Sequence, residues 1–250
     1  MDTARIAALL EPFLEPPLQE PQLDQISTYI DLLQRWNARI NLTAIRQEEE
    51  IVTRHFGESL FMARHLFPTL STPCHPESSQ DIREAHVLAE SKDSCISSLP
   101  VLSQGILPRP SNPPRVLDIG SGAGFPALPL KIWAPNIDLT LIESNHKKAA
   151  FLREASRALT LTNINVITER AETLAARRDF PRADVVTLRA VERFEAILPQ
   201  AVTFLAPQAS LALLIGAAQI PRLSASTILK WQPPIPVPQS HERVLSIGIR

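Results

Sequence analysis

The sequence predicts an α/β fold, a mainly parallel sheet with a helical extension before it, and three observations carry that prediction. From residue 115 onward, short apolar runs alternate with stretches of helical periodicity, as in strands joined by helical crossovers. The first of these runs, Arg115-Val116-Leu117-Asp118-Ile119, leads straight into a loop holding Gly120, Gly122 and Gly124, three of only 7 glycines in 250 residues. Before residue 68 the apolar positions recur at helical spacing instead.

Taken in order, residues 3–14 read as a short helix stopped by Pro16, Pro17 and Pro21. A second helix is expected over about 23–39, where Leu23, Ile26, Ile30, Leu33 and Trp36 share a face. A third runs over 48–67 through Ile51, Val52, Phe56, Leu60, Ala63 and Phe67, and its acidic start, Glu48-Glu49-Glu50, complements the helix dipole. Residues 1–67 thus read as a helical subdomain. Residues 68–114 contain 8 prolines and 9 serines, too polar to offset the entropy of ordering, and read as a flexible insertion with one helical possibility at 81–90. Its Cys74, His75, His86 and Cys95 match no compact ligand spacing, so no metal is expected.

Residues 115–250 form the α/β domain. Strands are expected at 116–119, 138–143, 165–168, 184–188 and 211–215, with helices near 128–133, 146–159, 171–176 and 193–204. Segments 226–231 and 243–249, joined by a Pro-rich bridge at 233–238, read as an antiparallel hairpin on the sheet edge. Right-handed crossovers then put the ligand site at the carboxyl ends of the strands, where the chain reverses direction.

Composition narrows the class. With 44% hydrophobic residues the chain can bury a sizeable core, and no apolar run reaches the roughly 20 residues of a membrane span. Neither a secretory signal nor a disulfide framework is legible, so a cytoplasmic location and no membrane partner are expected. The net charge of −1 hides an uneven distribution: −4 over 1–67, −2 over 68–114 and +5 over 115–250. Such a basic C-terminal part permits a polyanionic substrate.

The glycine loop points to a nucleoside ligand, because three missing Cβ atoms let main-chain N–H groups face it closely. A dinucleotide oxidoreductase would show G-x-G-x-x-G, whereas this spacing is G-x-G-x-G with Phe125 where the last glycine would stand. That favours S-adenosylmethionine, which lacks a pyrophosphate. Glu143, 19 residues beyond Gly124, is placed to accept from ribose hydroxyls, and Ala171-Glu172 follows the third strand where adenine would be held. Glu172 reads equally as a helix N-terminal acid. Asp118 would orient either the loop or the cofactor ammonium. Arg189, at the end of the fourth strand, offers a planar fork suited to guanine O6 or a phosphate; the plainer alternative is a strand-end arginine facing water.

These residues also carry a resemblance. Trp36-Asn37 with Asn41-Leu42-Thr43-Ala44-Ile45, the run Arg54-His55-Phe56-Gly57-Glu58-Ser59-Leu60, the loop 120–126, Arg170-Ala171-Glu172 and Arg189-Ala190 together resemble the bacterial small-subunit ribosomal RNA methyltransferases that modify guanine N7, long called glucose-inhibited division protein B. The resemblance implies a Rossmann-like class I S-adenosylmethionine-dependent methyltransferase fold, acting at a single guanine of 16S ribosomal RNA, free or in a small-subunit particle. It implies cofactor contacts at Gly120, Phe125, Ala171, Glu172 and Arg189, beside Gly122, Gly124 and Glu143 read above. Asn41, Arg54, His55, Ser59 and Pro126 would line the RNA side, with Arg54 and His55 touching phosphate; His55, Ser59 and Met62 also share a helix face, which would suit a merely structural role. The chain departs from the family pattern at Glu58 (Asp in the family), Ala127 (Gly) and Ile215 (Lys), and by the length of its insertion. A missing lysine at 215 would remove a cation near the substrate face and weaken catalysis rather than change the fold.

Chemistry agrees by elimination. Pyrimidine C5 methylation needs a cysteine nucleophile, and Cys74 lies in the insertion; exocyclic amine methylation usually employs an Asn/Asp-Pro-Pro-aromatic run after the fourth strand, where this chain has Thr187-Leu188-Arg189-Ala190. Guanine N7 already presents a lone pair, so placement and a dry site suffice, with Arg189 as the residue serving both base and cofactor. Replacing Arg189 by alanine is then expected to abolish transfer and leave the fold intact. The alternatives are a class I methyltransferase with another substrate, and an RNA-binding protein whose cofactor pocket is retained but inactive.

Overall fold

The computed structural model describes residues 1–68, 113–189, 194–224, 228–240 and 242–250. The expected 81–90 helix, Cys74, His75, His86 and Cys95, and Ala190 lie outside the described residues.

The N-terminal part folds as α1 (Thr3–Leu10), a 3-10 turn (Glu11–Phe13) and α2 (Glu20–Asn37), followed by a third helical run in three pieces. Asp2 caps α1 by accepting from the Arg5 N–H at 3.0 Å. Pro21 sits in the first turn of α2, where its missing N–H costs nothing, and so starts a helix as well as breaking the one before. The third run is α3 (Glu48–Glu50), a π-helical stretch (Ile51–Gly57) and α4 (Glu58–Leu66). The periodicity predicted one continuous α-helix; the widened turn rotates Arg54, His55 and Phe56 relative to α4. Gly57 ends that turn because a Cβ there would lie 2.7 Å from the Phe13 ring.

The sheet follows the expected alternation: β1 (Arg115–Ile119), α5 (Ala127–Trp133), β2 (Asp138–Ile142), α6 (His146–Ala158), β3 (Ile164–Ile167), α7 (Ala171–Ala175), β4 (Ala183–Arg189), α8 (Phe194–Thr203) and β5 (Leu205–Gly216). A 3-10 turn (Ala217–Gln219) and α9 (Ile220–Ser224), which the sequence did not announce, precede β6 (Lys230–Trp231), β7 (Ile235–Pro236) and β8 (Arg243–Ile249). Strand order is β3-β2-β1-β4-β5-β8-β6, with β7 also on β8; β1 to β5 run parallel and β8 antiparallel. The terminal hairpin stands on the β5 edge of the sheet, as expected, with β8 against β5 and the short β6 and β7 outside it. Chain direction reverses between β1 and β4, which opens the crevice at their carboxyl ends.

Two apolar cores sandwich the sheet. One lies under α7, α8 and α9; the other is continuous from Ile6 in α1 through Tyr29 in α2 to Phe151 in α6 and Ile247 in β8. The N-terminal helices therefore share a core with the sheet. Two glutamines of α2 reinforce the joint by donating to helix-end carbonyls, Gln22 to Ile132 at 2.8 Å and Gln25 to Leu159 at 2.9 Å.

Tyr29 makes the decisive contact. Its ring stacks on Phe125 (centroids 5.3 Å apart, 6° between planes), and its hydroxyl donates to the Ala123 carbonyl at 2.5 Å. Burial, helped by the Asp118 carboxylate, keeps the phenol protonated and thus a donor. Gly124 (φ +85°) passes directly beneath: a Cβ there would lie 2.4 Å from Tyr29 Oη, whereas one on Gly120 (φ +71°) would meet nothing within 4 Å. Gly124→Ala should accordingly lower unfolding free energy by about 3 kcal/mol, from overpacking and left-handed strain together. Gly120→Ala should cost about 1 kcal/mol, from strain alone. Urea unfolding of both variants checks this; equal losses would show that Tyr29 does not set the constraint at Gly124.

Candidate functional site

The β1–α5 loop uses its own amides. Gly120 and Ser121 N–H both donate to the Ile142 carbonyl (2.9 and 3.1 Å), Gly122 N–H to Glu143 Oε2 (2.8 Å) and Gly124 N–H to the Ser121 carbonyl (2.6 Å). The expectation that these glycine N–H groups face a ligand is therefore corrected: those of Gly120 and Gly122 tie the loop to Ile142 and Glu143 at the end of β2, and that of Gly124 closes the loop on itself. What the loop offers is space above Gly120 and Gly122 (φ +56°), where no side-chain atom approaches within 4 Å of either Cβ position.

The polar atoms facing this region are mostly acceptors. Glu143, 7% exposed, holds the loop to the start of α6 by accepting from Gly122 and, through Oε1, from Asn145 N–H at 2.8 Å. Each of its oxygens retains a lone pair. Asp118, 1% exposed, accepts from Thr187 Oγ1 at 2.6 Å, while its Oδ2 is buried without a partner. Burial pushes its carboxyl up to about 7 despite the Thr187 bond. Four buried side-chain atoms lack a partner among the described residues, and three of them, Asp118 Oδ2, His55 Nδ1 and Arg189 Nε, belong to this crevice or its wall. Each of these atoms has a hydrogen-bonding capacity that the described residues leave unused.

Phe125 occupies the wall. Its ring stacks on Tyr29 and on His55 (centroids 4.6 Å apart), meets Phe56 edge-on, and lies 5.8 Å beneath the Arg189 guanidinium. At 8% exposure little of the ring is left for a cofactor. The cis Phe125–Pro126 bond and the start of α5 follow, with Pro126 buried.

Arg189 does not face water. Its side chain is 7% exposed, Nη2 donates to Glu58 Oε2 at 3.0 Å and to the Arg54 carbonyl, and burial lowers its pKa to about 10 without discharging it. Glu58, 5% exposed, also faces Arg243 Nε at 3.7 Å through Oε1. One carboxylate thus gathers two arginines from β4 and β8 onto the π-turn. Ile215 lies on the opposite face, buried beside Val244 in the core under α7, α8 and α9, while Arg243 stands opposite Gly216. A cation therefore reaches the helical face of this sheet end despite the departure at 215.

The remaining candidates separate. Ala171 is buried and Glu172 exposed in the first turn of α7, without a side-chain cap from Arg170. Asn41 and Arg54 are exposed. His55 accepts or donates at Thr43 Oγ1 (2.7 Å) and is held neutral, its pKa lowered to about 3 by burial and by Arg189, Arg54 and Arg243; as a neutral ring it has no charge to offer a phosphate. Ser59 is fully buried and donates to the His55 carbonyl at 2.5 Å, so its hydroxyl is turned into its own helix rather than toward RNA. Tyr29, Asn37 and Arg243 were missed. Asn37 shapes the 41–45 loop by accepting from Leu42 and Thr43 N–H and donating to the Thr43 carbonyl.

Strand order, glycine loop and switch-point crevice define the fold of class I S-adenosylmethionine-dependent methyltransferases. The family model described as rRNA small subunit methyltransferase G matches residues 22–70 and 95–227, and the chain belongs to that family. It is 36% identical over 193 residues to ribosomal RNA small subunit methyltransferase G of Chloroflexus aggregans, covering 76% of this chain and 62% of that one, and 36% identical over 201 residues to the protein of that name from Roseiflexus castenholzii, covering 77% and 68%. The chain thus spans about six tenths of the first relative's length. Among solved structures, P. horikoshii TYW2 in complex with MeSAdo is similar at 17% identity and a TM-score of 0.44, over 55% of this chain and 57% of that one. No described helix is long and apolar enough to cross a membrane.

Glu58→Ala should strand Arg189 in the interior and cost about 3–5 kcal/mol in urea unfolding, and Arg189→Ala about as much, so neither leaves the fold unaffected. For Asp118, a folded pKa of about 7 against the usual 3.8 means that the native state keeps a proton the unfolded chain has released; its contribution therefore weakens as pH rises from about 4 to about 7. His55, at about 3 against 6.5, acts oppositely and weakens stability as pH falls below 6.5. Relative to Asp118→Asn the wild-type protein should lose stability on alkalinisation, and relative to His55→Gln on acidification, over those windows. Parallel pH profiles for all three would refute both assignments.

Proposed function

We propose that the chain transfers a methyl group from S-adenosylmethionine to N7 of a guanine in 16S ribosomal RNA, and that it does so in the cytoplasm. The observation that carries the cofactor is the polarity of the crevice: the N–H groups of Gly120, Ser121, Gly122 and Gly124 are engaged internally, while Asp118 Oδ2 and the spare lone pairs of Glu143 are acceptors. Acceptors suit an ammonium and ribose hydroxyls and repel a pyrophosphate, which favours S-adenosylmethionine over a dinucleotide. Bound there, the cofactor supplies an electrophilic methyl on a sulfonium. Family membership supports small-subunit ribosomal RNA as the substrate class.

On this reading Asp118 holds the ammonium, Glu143 the ribose and Ala171-Glu172 the adenine, with Gly120, Gly122 and Gly124 giving room. The guanidinium of Arg189, held above Phe125 by Glu58, keeps Nε free for the base or cofactor. Guanine N7 needs no proton removed before it attacks, so a charged arginine and a dry wall of Phe125, Phe56 and Tyr29 suffice.

Calorimetry with S-adenosylmethionine and with NADH separates the cofactors; binding of NADH alone would sink the proposal. Methyl transfer to naked RNA and to small subunits, with mapping of the modified base, tests the acceptor. Arg189→Lys, which keeps a cation beside Glu58 but loses the fork, should slow transfer at least tenfold. Undiminished turnover would remove Arg189 from the reaction.

A further inference from the structure

A pocket of about 360 Å³ lies beside Glu58, and no residue of the glycine loop lines it. Thr53, Arg54 and Glu58 form one wall; Gln239, Ser240 and Arg243, on the turn between β7 and β8, form the other. That turn is closed by its own bonds, with Arg243 N–H donating to Ser240 Oγ at 3.1 Å and Ser240 N–H to the Val237 carbonyl at 3.2 Å. The wall is therefore preformed. Arg54 is exposed, and among the described residues no carboxylate pairs with its guanidinium. Arg243 stands 3.7 Å from Glu58, beyond hydrogen-bond distance, and Glu58 is held more closely by Arg189. Counting Arg54, Arg189 and Arg243 against Glu58 and the lining Glu242, the cluster keeps a positive excess.

We propose that this pocket binds a backbone phosphate of the substrate RNA between Arg54 and Arg243. The inference rests on the ribosomal RNA reading above. Arginine forks match phosphate oxygens in pairs, and the polar groups of Thr53, Gln239 and Ser240 line the space between them. Glu58 is the shared boundary: Oε2 faces Arg189 on the base side and Oε1 faces Arg243 on the pocket side. A strand whose guanine enters the crevice beside Arg189 would lay a neighbouring phosphate over the pocket. Arg243 acts here as a binding residue for RNA and takes no part in methyl transfer.

The test is binding of deproteinised small-subunit ribosomal RNA over a salt series, with wild-type protein, Arg54→Gln, Arg243→Gln and Arg243→Lys. Each glutamine variant should weaken RNA binding several-fold and reduce the slope of log affinity against log salt by about one, while Arg243→Lys keeps the wild-type slope. Affinity for S-adenosylmethionine should not move, nor should the thermal midpoint of Arg54→Gln, whose guanidinium pairs with no carboxylate among the described residues. Glutamine variants with wild-type affinity and slope would overturn the pocket alone, as would an RNA defect that appears only together with a fallen midpoint. Failure of the wild-type protein to bind RNA would overturn the ribosomal RNA reading and the pocket together.

Discussion

Tyr29 docks the helical extension onto the glycine loop, and the site depends on that contact. One ring covers Phe125, one hydroxyl holds the Ala123 carbonyl, and one missing Cβ at Gly124 makes the approach possible. The extension is consequently a wall of the crevice, sharing the core of the sheet's helical face. Phe125, the residue that distinguishes this loop from a dinucleotide loop, is there for that wall: it is flanked by Tyr29 and His55 and contributes packing where a glycine would contribute none.

The π-turn does the same work one layer out. By widening the third helical run at Ile51–Gly57 it points the Arg54 carbonyl at Arg189 and sets Glu58 between Arg189 and Arg243. A buried carboxylate so placed is costly to desolvate and is offset only by well-placed partners, which fixes three elements, the turn, β4 and β8, relative to each other. The resulting site is divided by charge. Acceptors at Asp118 and Glu143 face the glycine loop, and guanidinium groups gather on the helical side. On the proposed reading, a cationic nucleoside and an anionic strand have separate berths.

Much of this was legible from the residue pattern. The alternation of strands and helices after residue 115, the loop at Gly120–Gly124 and the acidic residue after β2 appear where periodicity and spacing put them, because each depends on neighbours within a few residues. Arg189 was legible as a strand-end cation. Its burial was not, since Glu58 lies 131 positions away and Arg243 further along still. Ser59 and His55 looked like pocket residues on a regular helix, and the π-turn took one into its own helix and stacked the other, neutral, on Phe125. The short strand β7 and the helix α9 were obscured by sequence with little periodicity, whereas β6 falls inside the expected 226–231 segment.

By itself, then, the sequence determined the alternation of strands and helices after residue 115, the parallel sheet and the position of the switch-point loop, all of which follow from local periodicity and backbone freedom. Only the tertiary structure decided that the loop's glycine amides are bonded within the protein, that the neighbouring Asp118 keeps an unpartnered buried oxygen, and that arginines from two distant strands meet at one glutamate. The physical reason is that hydrogen-bond satisfaction and desolvation are properties of an enclosed volume, and the atoms enclosing this one come from helices and strands that no sequence window contains together.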